Sequence, residues 1–192
     1  PDKLKFILYQ FVRVKRGLEI VKMSKRAGNF VTAREVLDEV GTDAFRFFLL
    51  TTRPETHMDF DIALAKEKKS ENPVYYVQYA HTRISSILAK DEAKVNGKSK
   101  LDLLKEKEEL ALIRHLIKLP ELVEELSQNF EVHRLTNYSV ITADLFHKFY
   151  EKYKVLSIDQ EMTKARLGLI LATQIVLQNT LSLLGISAPH KM

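Results

Sequence analysis

The chain has 192 residues, 45% of them apolar and 29% charged, with a mean hydropathy of −0.17 and a net charge of +5, so it has enough apolar content for a sizeable core and is not compositionally disordered. Its lack of cysteine excludes disulfides, thiolate-bound zinc, iron–sulfur clusters and a thiol nucleophile; no apolar run is long enough to span a membrane, and no leader is visible. The charge is uneven: residues 1–35 carry nine bases and three acids, a local +6 that leaves −1 for the rest, so an anionic partner is sought there first.

In chain order, the aromatic and β-branched run 4–14 predicts a strand. Arg16-Gly17-Leu18 reads as a turn into a second short strand at 19–22, and Ser24 to Asn29 as a small basic loop. Thr32 with Glu35 forms a capping box for a helix through Val40, which Gly41 ends. Thr42 opens another helix that stops before Pro54. A short helix is expected at 60–69. A longer one starts with Asn72 as cap and Pro73 in the first position and reaches about residue 90. Residues 91–100 form a polar loop. Helices follow at about 101–117, 119–128, 131–154 and 159–184, the last apolar on most sides and expected at the centre of a bundle. Few glycines and prolines argue against a turn-rich sandwich or barrel. The fold class is therefore mainly α: a helical bundle (56–192) preceded by a short β-strand, loop and helix segment (1–55). Pro1 in place of Met implies a fragment.

Lys22-Met23-Ser24-Lys25-Arg26 is the sharpest local signal. Two lysines flank a serine beside Gly28. Ammonium groups on such a loop can neutralise charge growing on phosphate oxygens, and the hydroxyl can add a hydrogen bond. As a bare pattern, a solvated basic run is the commoner reading.

The helix from Asn72 has two faces. At 100° per residue, Val74, Val77, His81, Ile84 and Leu88 share a sector of about 80°, a core stripe on which His81 reads as a buried histidine. Tyr75, Tyr76, Tyr79, Arg83 and Ser86 lie opposite. That face suits stacking on unpaired bases with a cation for phosphate, or packing on a neighbouring helix. Phe146, Phe149, Tyr150 and Tyr153 repeat at helical spacing, which fits core first. The mixed charges at 105–109 read as a solvated helix face. The six histidines are scattered, and no metal site is expected.

Lys22-Met23-Ser24-Lys25 is identical to the KMSK signature of class I aminoacyl-tRNA synthetases, and the chain resembles the arginyl-tRNA synthetase family. Arg26 to Phe30, Gly41 to Leu50, Asp59-Phe60-Asp61, Asn72 to His81, Phe146 to Tyr150 and the ending Leu184 to Met192 all fit that pattern in order. The resemblance implies the end of a catalytic domain joined to a helical anticodon-binding (DALR) domain. It implies ATP contacts at Lys22, Met23, Ser24 and Lys25, with Lys22, Ser24 and Lys25 stabilising the leaving pyrophosphate, and tRNA contacts at Tyr76, Tyr79, Arg83, Tyr150 and Met192. The expected partners are an arginine-accepting tRNA and, for the whole enzyme, L-arginine, ATP and Mg²⁺, in a cytoplasmic, monomeric protein away from membranes. No H-x-G-H, Walker A or G-x-G-x-x-G sequence occurs, so this segment should not charge tRNA alone, and its first strand should lack sheet neighbours, leaving residues 1–30 mobile or paired with a second copy. Three rivals remain: another class I synthetase such as the cysteinyl one, a non-catalytic helical RNA-binding module, and a purely structural bundle.

Overall fold

The computed structural model describes residues 4–21, 31–90 and 99–192. The basic loop Lys22 to Arg26, the other residues of 22–30 and the polar stretch 91–98 lie outside the described residues, and with them the expectations placed there.

β1 is Val12–Arg16, and Gly17 at φ 62° turns it into the two-residue β2, Glu19–Ile20. Only glycine adopts that left-handed turn conformation without steric cost. β3, Met58–Asp61, pairs parallel to β1 and gives the order β2-β1-β3. The register opposes Val12 to Met58, Arg13 to Asp59, Val14 to Phe60 and Lys15 to Asp61. Strand alternation thus sends Val14, Met58 and Phe60 inward, while Arg13–Asp59 (2.7 Å) and Lys15–Asp61 (3.3 Å) pair across the other face.

Two expectations change here. The strand covers Val12–Arg16 and not 4–14: residues 4–11 are irregular and exposed, with Phe6, Leu8, Tyr9 and Phe11 in solvent and a bond from the Gln10 amide to the Pro54 carbonyl (2.8 Å). The strand also has a sheet neighbour, because Met58–Asp61, expected in part as helix, forms β3. Asp61 then caps the short α3, Ile62–Lys66, by accepting from the amides of Ala63 and Leu64.

Helices α1, Ala33–Val40, and α2, Thr42–Leu50, follow the expected pattern, including the Thr32–Glu35 capping box. α4 runs from Pro73 to Leu88 with Asn72 at its cap position. The Asn72 side chain does not cap it; its amide donates to the carbonyls of Ala65 (3.0 Å) and Glu67 (2.8 Å), tying α3 to the start of α4. A 3₁₀ turn at Leu101–Leu103 precedes α5, Lys107–Leu116, where one continuous helix was expected. α6 is Leu119–Asn129, α7 His133–Lys152 and α8 Gln160–Leu183. α8 packs on α4, α5 and α7 and buries Ala165, Leu169, Ile170, Leu177 and Leu181, as its apolar composition requires. Phe146 and Phe149 are fully buried among these helices.

The charged run at 105–109 is a solvated face only in part: Lys105, Glu106 and Lys107 are exposed, but Glu109 is not. Glu109 is fully buried, accepts from Arg166 Nε at 2.8 Å and also receives the Glu106 amide. Glu106 and Glu108 accept from the Tyr153 hydroxyl, and Glu108 pairs with Lys152, which holds its carboxyl at about 2. Tyr153 is therefore tied to α5. A charge as deep as Glu109 is tolerated only because its partner is equally fixed.

Candidate nucleic-acid interface

α4 and α7 pack side by side, and their contact builds an aromatic wall. On α4, Tyr75 and Tyr79 stand one turn apart with rings 6.2 Å apart and nearly parallel, at 7°. From α7, the His147 ring stacks on Tyr79 (5.9 Å) and meets Tyr76 (4.8 Å, tilted). Arg83, one turn beyond Tyr79, donates to its hydroxyl at 2.8 Å and lies 4.6 Å over the Tyr150 ring. Four of the expected tRNA-contacting residues, Tyr76, Tyr79, Arg83 and Tyr150, are thus brought together. Tyr79 keeps 36% exposure, while Tyr76 and Tyr150 are half-buried. Ser86 takes no part in the wall through its hydroxyl, which donates back to the Thr82 carbonyl.

His147 has no counterpart in the sequence expectations. Its position three residues before Tyr150 places it on the same side of α7, but only the α4–α7 packing puts it between two tyrosines.

The wall carries one cation among neutral rings. Burial works against the Arg83 charge, but hydrogen bonds with the hydroxyls of Tyr79 and Tyr150 outweigh it and raise its pKa. Burial, then the Arg83 charge, lowers His147, so the imidazole is neutral at pH 7. Burial, then the charges of Asp144 and Glu151, raises the Tyr76 phenol, which stays protonated. Flat neutral rings beside a guanidinium can stack on bases and contact phosphate.

The tail brings Met192 to the edge of this wall. Gly185, at φ 67°, closes α8 in a Schellman turn, with amide bonds from Gly185 to Ser182 and from Ile186 to Leu181. The tail then runs along α4. The Pro189 carbonyl accepts from Thr82 Oγ1 and His81 Nδ1, both at 2.9 Å, and His190 meets Ser85 at 3.1 Å. His81 is fully buried, as expected of the core stripe, although its Nε2 has no partner. The chain bends at His190, and Met192 lines a cleft with Gly41, Asp43, Lys68, Tyr75 and Gln78.

The expectation that the basic first segment is where an anion is sought is narrowed. Arg13 and Lys15 are paired across the sheet, Arg16 lies 2.6 Å from Glu39, and Arg34 2.9 Å from Asp38. These cations are largely neutralised by neighbours. Lys22, Ser24 and Lys25, with Met23, lie outside the described residues.

Comparison with known proteins places the chain in a family. The family model "DALR anticodon binding domain" matches residues 77–192, and "tRNA synthetases class I (I, L, M and V)" matches residues 5–61. An arginine–tRNA ligase of Dehalococcoides mccartyi strain CBDB1 is 48% identical over the whole chain, which covers 35% of it. One of Thermotoga maritima is 50% identical, with 100% of this chain and 36% of that protein covered. The solved Thermus thermophilus arginyl-tRNA synthetase superposes with a TM-score of 0.69 at 29% identity, over 88% of this chain and 29% of that one. The chain thus spans about a third of the length of the curated relatives it matches. A domain model covering more than half of the sequence and near-50% identity along its full length lead to one conclusion: the chain belongs to the arginyl-tRNA synthetase family and carries its DALR anticodon-binding domain.

Proposed function

We propose that this chain serves the ATP-dependent attachment of L-arginine to its tRNA, and that it contributes two parts to that reaction. In the reaction, the arginine carboxylate attacks the α-phosphate of ATP and pyrophosphate leaves. The terminal ribose of the tRNA then takes the arginyl group and AMP is released.

The first part is residues 1–55, the end of a catalytic domain. Its Lys22, Ser24 and Lys25 are a donor set suited to polyphosphate, with two ammonium groups and a hydroxyl in four residues. Lys22, Met23, Ser24 and Lys25 hold the ATP phosphates in this reading, and Lys22, Ser24 and Lys25 stabilise the negative charge leaving with pyrophosphate. Mg²⁺ accompanies the nucleotide. The second part, expected at 56–192, is the anticodon-binding bundle, with β3 (Met58–Asp61) at its start returning to the sheet of the first part. Tyr76, Tyr79, Arg83 and Tyr150, with Met192 at their margin, receive anticodon-loop nucleotides. The place of action is the cytoplasm, and the whole enzyme works as a monomer.

The observation that carries this reading is the wall on α4 and α7: an exposed tyrosine, Tyr79, hydrogen-bonded to a guanidinium and backed by His147, inside the stretch that matches the anticodon-binding model. A base stacked on an aromatic ring contributes about 1–3 kcal/mol. Titrating an arginine tRNA transcript into the chain tests it. Tyr79→Ala should weaken binding about tenfold or more, a little over 1 kcal/mol, and Arg83→Ala should also flatten the salt dependence. Binding unchanged in both variants would contradict the reading.

A further inference from the structure

Asp43 stands in the first turn of α2, and its carboxylate is shared by two distant parts of the chain. Gln78 Nε2, on α4, donates to it at 2.8 Å. The Ser187 amide donates at 3.2 Å, and the Ser187 hydroxyl donates as well. Gln78 also donates to the Ser187 carbonyl at 3.0 Å, so three chain segments meet at one carboxylate. Hydrogen bonds to an ionised acceptor are about twice as strong as neutral ones. Beyond this node the tail is clamped by Thr82 and His81 at Pro189, then turns back. Met192, 55% exposed, ends in the same cleft as Asp43, Gln78 and Tyr75. The tail is thus tied at Ser187 by Asp43 and Gln78, at Pro189 by Thr82 and His81, and at His190 by Ser85; of these, the Asp43–Gln78 node is the one that lines the cleft holding Met192.

We propose that Asp43 is a positioning residue: by holding Ser187 it sets where Met192 stands in the cleft that it shares with Tyr75, one ring of the aromatic wall. What this does for RNA rests on the proposed function, but the positioning itself is measured without RNA. The chain has four methionines, Met23, Met58, Met162 and Met192, so ¹³C-methyl methionine labelling gives four signals, and Met192→Leu identifies the one of interest. In Asp43→Asn the carboxylate charge is lost at unchanged size. The Met192 signal should shift and narrow toward that of a methionine in an unfolded chain, short of reaching it because Pro189 and His190 stay held, while Met58, on β3, and Met162, on α8, stay where they are and report an intact fold. Ser187→Ala removes one hydroxyl and keeps the amide bond, so it should shift Met192 in the same direction by less. A Met192 signal unmoved in both variants would overturn the inference.

The same two variants, titrated with an arginine transcript and with its middle anticodon base changed, should bind the two with a ratio at least threefold smaller than the parent chain shows. Ratios equal to the parent's would overturn the link from Asp43 to recognition. A parent chain that binds both transcripts alike would instead overturn the functional reading, and the methyl signals would still decide the positioning.

Discussion

The sheet-bearing first part and the helical remainder both carry exposed ion pairs, Arg13–Asp59 beside the sheet and Arg134–Glu125 and Lys148–Asp144 among the helices, but the helical remainder also buries one. Around β1 and β3 the ion pairs lie on the outer face: Arg13 with Asp59, and Arg16 and Lys66 with Glu39, all with side chains at least a quarter exposed. In the bundle, the Arg166–Glu109 pair is sealed inside, and three histidines, His81, His115 and His147, are buried enough that desolvation holds them neutral. Exposed pairs contribute little energy, whereas removing one partner of a buried pair leaves an uncompensated charge inside and costs several kcal/mol. The bundle is therefore where single substitutions do most damage, and its rigidity is what holds the aromatic wall in one arrangement.

The comparison is broken most sharply at Glu109. Glu109→Ala leaves Arg166 buried and unpaired and should cost about 3–5 kcal/mol, read as a lowered urea midpoint. Gly185→Ala comes next. A methyl there would adopt a left-handed conformation and lie 2.7 Å from Arg46 Nη2, displacing the guanidinium that bonds the Leu184 carbonyl. The expected loss is about 1–2 kcal/mol, measured the same way. In the first part, Thr32→Ala removes the α1 cap at about 1 kcal/mol. Arg13→Ala, breaking an exposed pair, should cost less than about 1 kcal/mol and vanish in high salt.

Acid separates the two parts further. The pKa values of His81, His115 and His147 are lowered in the folded chain, chiefly by burial, so the folded state takes up their protons less readily than the unfolded one. Stability is full above their unfolded value, about 6.5, and falls as pH drops below it. Amide protection factors in α4, α5 and α7, taken relative to the intrinsic exchange rate at each pH, should fall between pH 7 and 5. The sheet should respond only lower down. Hydrogen bonds from Arg16 and Lys66 hold the Glu39 carboxyl at about 2, so that contribution is lost as pH falls from 4.5 toward 2, where Glu108 in the bundle also titrates. A sheet that loosened first between pH 7 and 5 would contradict this ordering.

What could be read from residues alone was mostly local. The Thr32–Glu35 box, Pro73 in the first turn of α4 and the apolar α8 announce themselves within one or two turns of chain. β3 did not, because Met58–Asp61 is four residues long and its partner lies 46 positions away. The run 4–11 has the composition of a strand, yet composition cannot say whether a partner is present. Glu109 shows the same limit for charge: its neighbours in sequence are exposed acids and lysines, and only Arg166, 57 residues on, makes its burial tolerable. For the candidate interface, Tyr76, Tyr79 and Arg83 share a helix face by periodicity. His147 and the tail's return to Tyr75 depend on packing between distant elements, and no spacing encodes that.

The central claim is that the wall of α4 and α7 recognises bases and not merely charge. The most direct measurement is a paired titration of the unmodified chain with an arginine tRNA transcript and with the same transcript changed at its middle anticodon base, in the same salt. The account predicts clearly weaker binding of the changed transcript, by tenfold or more, with the gap persisting as salt rises, since stacking and base contacts are screened less than phosphate pairing. Equal affinity for both at every salt concentration would contradict it.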